Sequence, residues 1–299
     1  MPINQPRSPE VYLNLNVRGM GASATLAINE RSRELIAEGH KVYRLGLGQS
    51  PFPVPQHVSE SLARNAHQKD YLSVKGLPAL REGVVDWVQR TEGLDYAPDN
   101  VLVGPGTKEL MFLVQLVYYG DLVIPSPSWV SYAPQARIIG RHIHWLRTRP
   151  QTGLGVEPEA LEELCEQDPD RPRLLILNSP SNPTGLCYDA EQLQALAEVL
   201  RKYRVLALSD EIYSGTHYSD DHVSLARFYP EGTIISNGLS KWCGAGGWRL
   251  GFFIFPQSLS WLADAMAAVA SETFTSTSAP IQYAAVTALE DRPEMRDYM

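Results

Sequence analysis

The stretch RLLILNSPSNPTGLCYDAEQLQALAEVLRKYRVLALSDEIYSG, residues 173–215, carries the reading of the fold. It opens on a short apolar run, RLLILN (173–178), closed by a turn rich in Ser, Pro and Asn, and ends on a second run, RVLALSD (204–210). Both predict strands buried on two faces. Between them, residues 191–203 follow a helical period. A strand–helix–strand unit implies parallel strands joined by a right-handed crossover. The same alternation extends in both directions. VLVG (101–104), DLVIP (121–125), HIHWL (142–146), TIIS (233–236) and RLGFFIF (249–255) read as further strands, and 107–119 and 158–167 as helices. Nearer the start, Leu26, Ile28, Leu35 and Ile36 recur at roughly helical spacing before Gly39. The pattern predicts an α/β three-layer sandwich with a mostly parallel sheet. In such sheets ligands gather at the carboxyl ends of the strands. The segments just past those ends, 104–108, 125–129, 178–185, 210–213 and 237–241, hold the unusual residues.

The bulk numbers narrow the function. With 299 residues, 44% of them hydrophobic, the chain is long enough for one large domain and a minor appendage. A net charge of -8 argues against nucleic acid or an anionic membrane as main partner. Cys165, Cys187 and Cys243 are scattered without a CxxC pair, which fits reduced thiols and a cytoplasmic location. The opening residues lack the apolar run of a signal peptide, and no stretch has the length of a membrane span. There is no GxSxG elbow and no HExxH; His142 and His144 alternate along a strand and read as structural or surface residues.

Five motifs carry chemistry. SNGLSKWCGAGGWRLGFF (236–253) puts Lys241 just past a strand beside small residues. A lysine attacks an aldehyde only when its amine can be neutral, as a desolvated site with cationic neighbours promotes. The Gly/Ala run 244–247 lets backbone approach a ligand, and Arg249 offers a planar fork for phosphate. VGPGTKELMF (103–112) opens a glycine turn onto a helix start, where free N–H groups, the dipole and the Thr107 hydroxyl suit an anion, although P-loop spacing is absent. LNSPSNPTG (177–185) is a rigid loop presenting the Asn182 amide. In LSDEIYSG (208–215), Asp210 ends a buried strand and needs a cationic partner; a pyridinium nitrogen would serve, and so would an arginine. PSPSWVSY (125–132) presents Trp129, whose indole face can stack on a planar ring or cap a core.

Taken in order, with RLGLGQSPFPVP (44–55) and YLSVKGLPALR (71–81), these motifs resemble the class I/II aminotransferases, the fold type I pyridoxal-phosphate (PLP) enzymes. The resemblance implies transfer of an amino group between an L-amino acid and a 2-oxo acid, with PLP as cofactor. It implies that Lys241 forms the Schiff base and shuttles the proton, that Asp210 pairs with the pyridinium nitrogen, and that Asn182 and Tyr213 bond the phenolate oxygen. Gly106, Thr107, Ser240 and Arg249 then hold the phosphate, and Trp129 stacks on the ring. Tyr71 reaches the phosphate of a neighbouring subunit, so a homodimer is implied. Gly48 sits by the substrate α-carboxylate. Lys108, counted among the cofactor-binding residues as well, resembles the group that binds a distal carboxylate, which points to aspartate or glutamate as donor. The catalytic set is thus Lys241, Asp210 and Tyr213, and the substrate set Gly48, Lys108, Trp129 and Asn182.

The resemblance also divides the chain. Residues 1–45 form an arm and helix belonging to a small domain, and 46–299 the large PLP-binding domain. Two departures stand out. Gly238 occupies a place where many members carry serine. The family's chains also continue into the rest of the small domain, which supplies an arginine for the substrate α-carboxylate; Arg292 and Arg296 do not match that context. Two alternatives therefore stay open beside the aminotransferase: a carbon–sulfur β-lyase on the same fold, and a truncated PLP-binding isoform without turnover.

Overall fold

The structure is a computed structural model that describes residues 12–46, 48–217 and 222–299; the first eleven residues of the expected arm and Leu47 of the 44–55 motif lie outside them. The elements in order are α1 (Ala24–Ala37), α2 (Gln56–Asn65), α3 (Pro78–Glu92), β1 (Val101–Gly104), α4 (Thr107–Val117), β2 (Asp121–Ser126), α5 (Tyr132–Ile138), β3 (Ile143–Arg147), α6 (Pro158–Glu166), β4 (Arg173–Asn178), α7 (Ala190–Lys202), β5 (Leu206–Asp210), β6 (Thr233–Gly238), β7 (Gly251–Ile254), α8 (Ser260–Glu272), α9 (Ala279–Leu289) and α10 (Pro293–Tyr298).

The strands form one sheet in the order β1-β7-β6-β5-β4-β2-β3. β3, β2, β4, β5 and β6 pair in parallel, while β7 is antiparallel to both β6 and β1. Six strands therefore point one way and β7 alone is reversed, so the expected mostly parallel sheet holds. The run expected as a strand from 249 to 255 is a strand only at Gly251–Ile254, because Arg249 takes the left-handed conformation (φ 54°).

Side-chain alternation builds the three layers. Leu102, Ile124, Ile176, Leu208, Ile234 and Phe253 face one core with α4, α5 and α8. Their strand neighbours face the other side, where α2, α3 and α9 cover β1, β7 and β6, and α6 and α7 cover β2, β4 and β5. Local chemistry fixes the helix ends. Before α7 the Asp189 carboxylate accepts from the Gln192 N–H (2.8 Å) while the Gln192 side chain accepts from the Asp189 N–H (3.0 Å), a box worth about 1 kcal/mol. α3 starts on Pro78 and stops at Gly93, which adopts φ 69°.

Helix α1 stands apart from these layers. It buries none of its residues, and Leu26, Ile28 and Ile36 are exposed. Among the described residues no helix is long and apolar enough to cross a membrane.

Candidate active site

Because six strands share a direction, the ends of β1, β2, β4, β5 and β6 open on one side of the sheet, and reversed β7 begins there. One half of the site suits an anion. Gly106 (φ 89°) precedes α4 without a side-chain cap, which leaves first-turn N–H groups for an outside acceptor. Arg249 lies across this turn, donating to the carbonyls of Gly246 (2.9 Å) and Pro105 (3.5 Å). A Cβ on Gly106 would collide with its guanidinium, and one on Gly251 with the Thr107 backbone nitrogen. Ser240 packs under Gly246. Glycines thus let the helix start, a hydroxyl and a cationic fork converge, which is the donor set a phosphate requires.

The other half suits a flat cationic ring. Asp210 is 4% exposed, and its carboxylate accepts from the Tyr132 hydroxyl (2.5 Å) and, weakly, from Ser236 (3.5 Å). Burial pushes its pKa up to about 6, although bonds from Tyr132 and the Ile212 N–H pull the other way. Among the described residues no lysine, arginine or histidine pairs with it. A dry carboxylate without a cation fits a protonated ring nitrogen. The Asn182 amide donates to the Tyr213 hydroxyl (3.3 Å), and the Asn178 amide ties this loop to the Asp210 carbonyl (2.8 Å). Trp129 meets Tyr132 edge-on at 5.3 Å.

Lys241 joins the halves. Its Nζ donates to the Gly48 carbonyl (2.8 Å) and stands 5.2 Å from the centre of the Tyr213 ring. Asn237, fully buried, fixes the preceding turn: its amide donates to the Glu211 carbonyl (2.8 Å) and its oxygen accepts from the Trp242 indole (3.2 Å). Lys108 lies 5.0 Å over Trp129, and burial, then the Arg249 charge, lowers its pKa. Tyr71 stays outside this group, 90% exposed. Sequence reasoning singled out Trp129 in PSPSWVSY and passed over Tyr132. The available signal was that a buried acid at 210 needs a donor, with a tyrosine at the start of a neighbouring helix.

A pattern for the aminotransferase class I and II family matches residues 40–299. The chain belongs to that family. This aminotransferase is 38% identical to an aspartate aminotransferase of Geobacillus stearothermophilus over 292 residues, 95% of this chain and 73% of that one. It is 34% identical to an aspartate/prephenate aminotransferase of Thermus thermophilus, covering 96% and 74% of the two chains. A solved Thermus thermophilus aspartate aminotransferase with maleate superposes with a TM-score of 0.90 at 33% identity, over 97% of this chain and 75% of that one. The aminotransferase is accordingly PLP-dependent and moves an amino group between an amino acid and a 2-oxo acid. The β-lyase and inactive readings are not favoured. Gly238, the departure noted above, has a structural reason: a Cβ there would stand 2.7 Å from the Leu250 carbonyl oxygen, so serine does not fit this backbone.

The Asp210 environment sets a pH dependence in the cofactor-free aminotransferase. Its folded pKa of about 6 lies above the ordinary aspartate value of 3.8, so between those values the folded state binds more protons than the unfolded one. Stability from this group is therefore present at acid pH and lost as pH rises towards 6, by roughly 3 kcal/mol at most. A cationic ring nitrogen placed against this carboxylate would relieve that loss. Thermal unfolding with and without PLP is expected to show a larger gain in Tm at pH 7 than at pH 5. Asp210→Asn removes this difference; an unchanged difference in the variant would assign it to another group.

Proposed function

We propose that this enzyme takes the amino group from a dicarboxylic amino acid, aspartate or glutamate, with Lys241 as its central base. The carrying observation is the convergence of Lys241, Tyr213, Asn182 and Asp210 at the ends of β4, β5 and β6, opposite the Thr107–Arg249 anion cradle. Bound PLP supplies an aldehyde carbon through which the amino group passes and a pyridinium ring that accepts the electron pair left when the substrate Cα–H bond breaks.

The chain's own residues do the rest. Lys241, held between the Gly48 carbonyl and the Tyr213 ring, would anchor the cofactor through its amine and would serve as the base that moves the substrate Cα proton. Asp210, oriented by Tyr132, would pair with the ring nitrogen and keep it protonated. Tyr213 and Asn182 would bond the ring oxygen. Gly106, Thr107, Ser240 and Arg249 would anchor the phosphate and so hold the reacting carbon in register. Trp129 would stack on the ring and Gly48 would border the substrate carboxylate.

Lys108 supports the dicarboxylic donor. Its ammonium sits between the anion cradle and the Trp129 face, where a distal carboxylate could meet it. The Geobacillus relative is an aspartate aminotransferase, and the Thermus structure holds maleate, itself a dicarboxylate. Exposed Tyr71, together with exposed Leu13, Leu15 and Phe52 near the start, supports a homodimer with shared sites. The absence of buried residues in α1 supports assigning residues 1–45 to a second domain and 46–299 to the cofactor domain. Three free cysteines support a cytoplasmic location.

The test is the first half-reaction, followed as the absorbance change from aldehyde to amine form of the cofactor. Aspartate and glutamate are expected to convert it at least about tenfold faster than alanine at equal concentration. Lys108→Ala should remove about 1.4 kcal/mol of that preference, a factor of ten. Equal rates with neutral amino acids would overturn the donor assignment.

A further inference from the structure

Lys241 and Tyr213 reach the site from two different strand ends, beyond β6 and β5, and a single side chain spans the two. Asn237, the penultimate residue of β6, is fully buried. Its amide nitrogen donates to the Glu211 carbonyl (2.8 Å) and to the Ser214 hydroxyl (3.0 Å). Its amide oxygen accepts from the Gly238 N–H (2.7 Å) and from the Trp242 indole N–H (3.2 Å). A primary amide offers two donors and one oxygen with two lone pairs, so every bonding position is used. Only one orientation of the amide works, because turning it over would set its NH2 against two N–H donors.

Both arms end on this amide. Glu211 and Ser214 flank Tyr213, and the Ser214 N–H donates to the Glu211 carbonyl (2.9 Å), so Asn237 grips both ends of the turn that carries the phenol. On the other arm Trp242 follows Lys241 directly. Its ring is 3% exposed and stacks on Trp87, 6.1 Å between centres and 14° from parallel, which anchors the indole in the core. β5 and β6 pair for the last time at Asp210 and Ser236. Beyond that point the Asn237 amide takes over the bridging. A buried polar group with all its bonds made favours one arrangement and costs free energy in any other.

We propose that Asn237 is a positioning residue for amino transfer, setting the distance and angle between Lys241 Nζ and the Tyr213 ring, whose centre lies 5.2 Å away. The inference rests on the roles given to Lys241 and Tyr213 above. With PLP bound, a Tyr213 hydroxyl that donates to the ring oxygen weakens that oxygen's hold on the proton it shares with the Lys241 nitrogen. The pH at which the cofactor's visible band fades therefore reports how the two arms are aligned. A change that only loosened packing would lower Tm and leave this pH in place.

The test follows that pH midpoint in the full chain with bound PLP, after borohydride fixation and mass spectrometry have located the cofactor. Asn237→Ala is expected to raise the midpoint by at least about half a pH unit. It should also lower kcat at least about tenfold, with KM for aspartate within about threefold. Trp242→Phe keeps the stacked ring and removes one N–H, and Ser214→Ala removes one acceptor; each should raise the midpoint by less. Trp242→Phe added to Asn237→Ala should change nothing further, because the bond it removes is already gone. If Asn237→Ala does not fold, Trp242→Phe and Ser214→Ala decide together: one shared amide predicts a combined shift smaller than their sum. An unmoved midpoint in Asn237→Ala or in Trp242→Phe, or shifts that add in full, overturns the proposal. A cofactor fixed to a lysine other than Lys241 would overturn the reading of the site, and this proposal with it.

Discussion

Lys241→Ala is expected to lower kcat for amino transfer by at least about 10⁴-fold, the loss of one positioned proton carrier together with its covalent role. The geometry makes the variant informative. Nζ is held by the Gly48 carbonyl and the Tyr213 ring, while the turn beneath it is fixed by Asn237 and Trp242, groups the substitution leaves in place. The fold and the anion cradle should persist, so PLP still binds but borohydride no longer fixes it to the chain. Exogenous methylamine supplies an amine without the tether, and partial recovery by it would tie the loss to the missing base. Borohydride labelling that persisted at another lysine would transfer the role to that residue.

Asp210→Ala should rank next, lowering kcat by about 10³-fold, the upper part of the range seen when a single charge-stabilising group is removed. Two losses combine. On the proposed role, the ring nitrogen would lose its counter-charge and deprotonate at neutral pH, and the Tyr132 hydroxyl, fully buried and bonded to this carboxylate, loses its acceptor. Asp210→Asn separates them, because an amide oxygen can still accept from Tyr132 but cannot hold the ring positive. Activity of Asp210→Asn within tenfold of the unaltered enzyme would assign the role of Asp210 to orientation alone. In kinetics, the pH profile of kcat reports the same distinction.

Strand positions and most strand-end chemistry were legible because buried strands in this fold are short unbroken apolar runs. RLLILN (173–178) and VLVG (101–104) match β4 and β1. Other elements were less legible for physical reasons. α2 buries only Val58 and Ser61, and α9 buries Gln282 and alanines along with Leu289, so neither displays a clear apolar stripe. The reversal of β7 is set by its partners, and nothing within GFFI encodes direction. The Tyr132–Asp210 pair was hard to read for another reason. It joins residues 78 positions apart, and PSPSWVSY and LSDEIYSG show that a donor and an acid exist without showing that they meet. Residue types are local, whereas proton sharing depends on which strand ends meet.

The pairing of β1 with β7 sets an order in time. Val101 lies opposite Ile254 and Gly104 opposite Gly251, so the strand bearing the Thr107 turn is completed by one made about 150 residues later. During synthesis the helix start at Thr107 leaves the ribosome long before Arg249, and the phosphate cradle has no second side until the hairpin of β6 and β7 has emerged and docked. On the proposed assignment of Thr107 and Arg249, PLP would be a late ligand that locks a nearly finished sheet. It would not be an early template around which the nascent chain collapses.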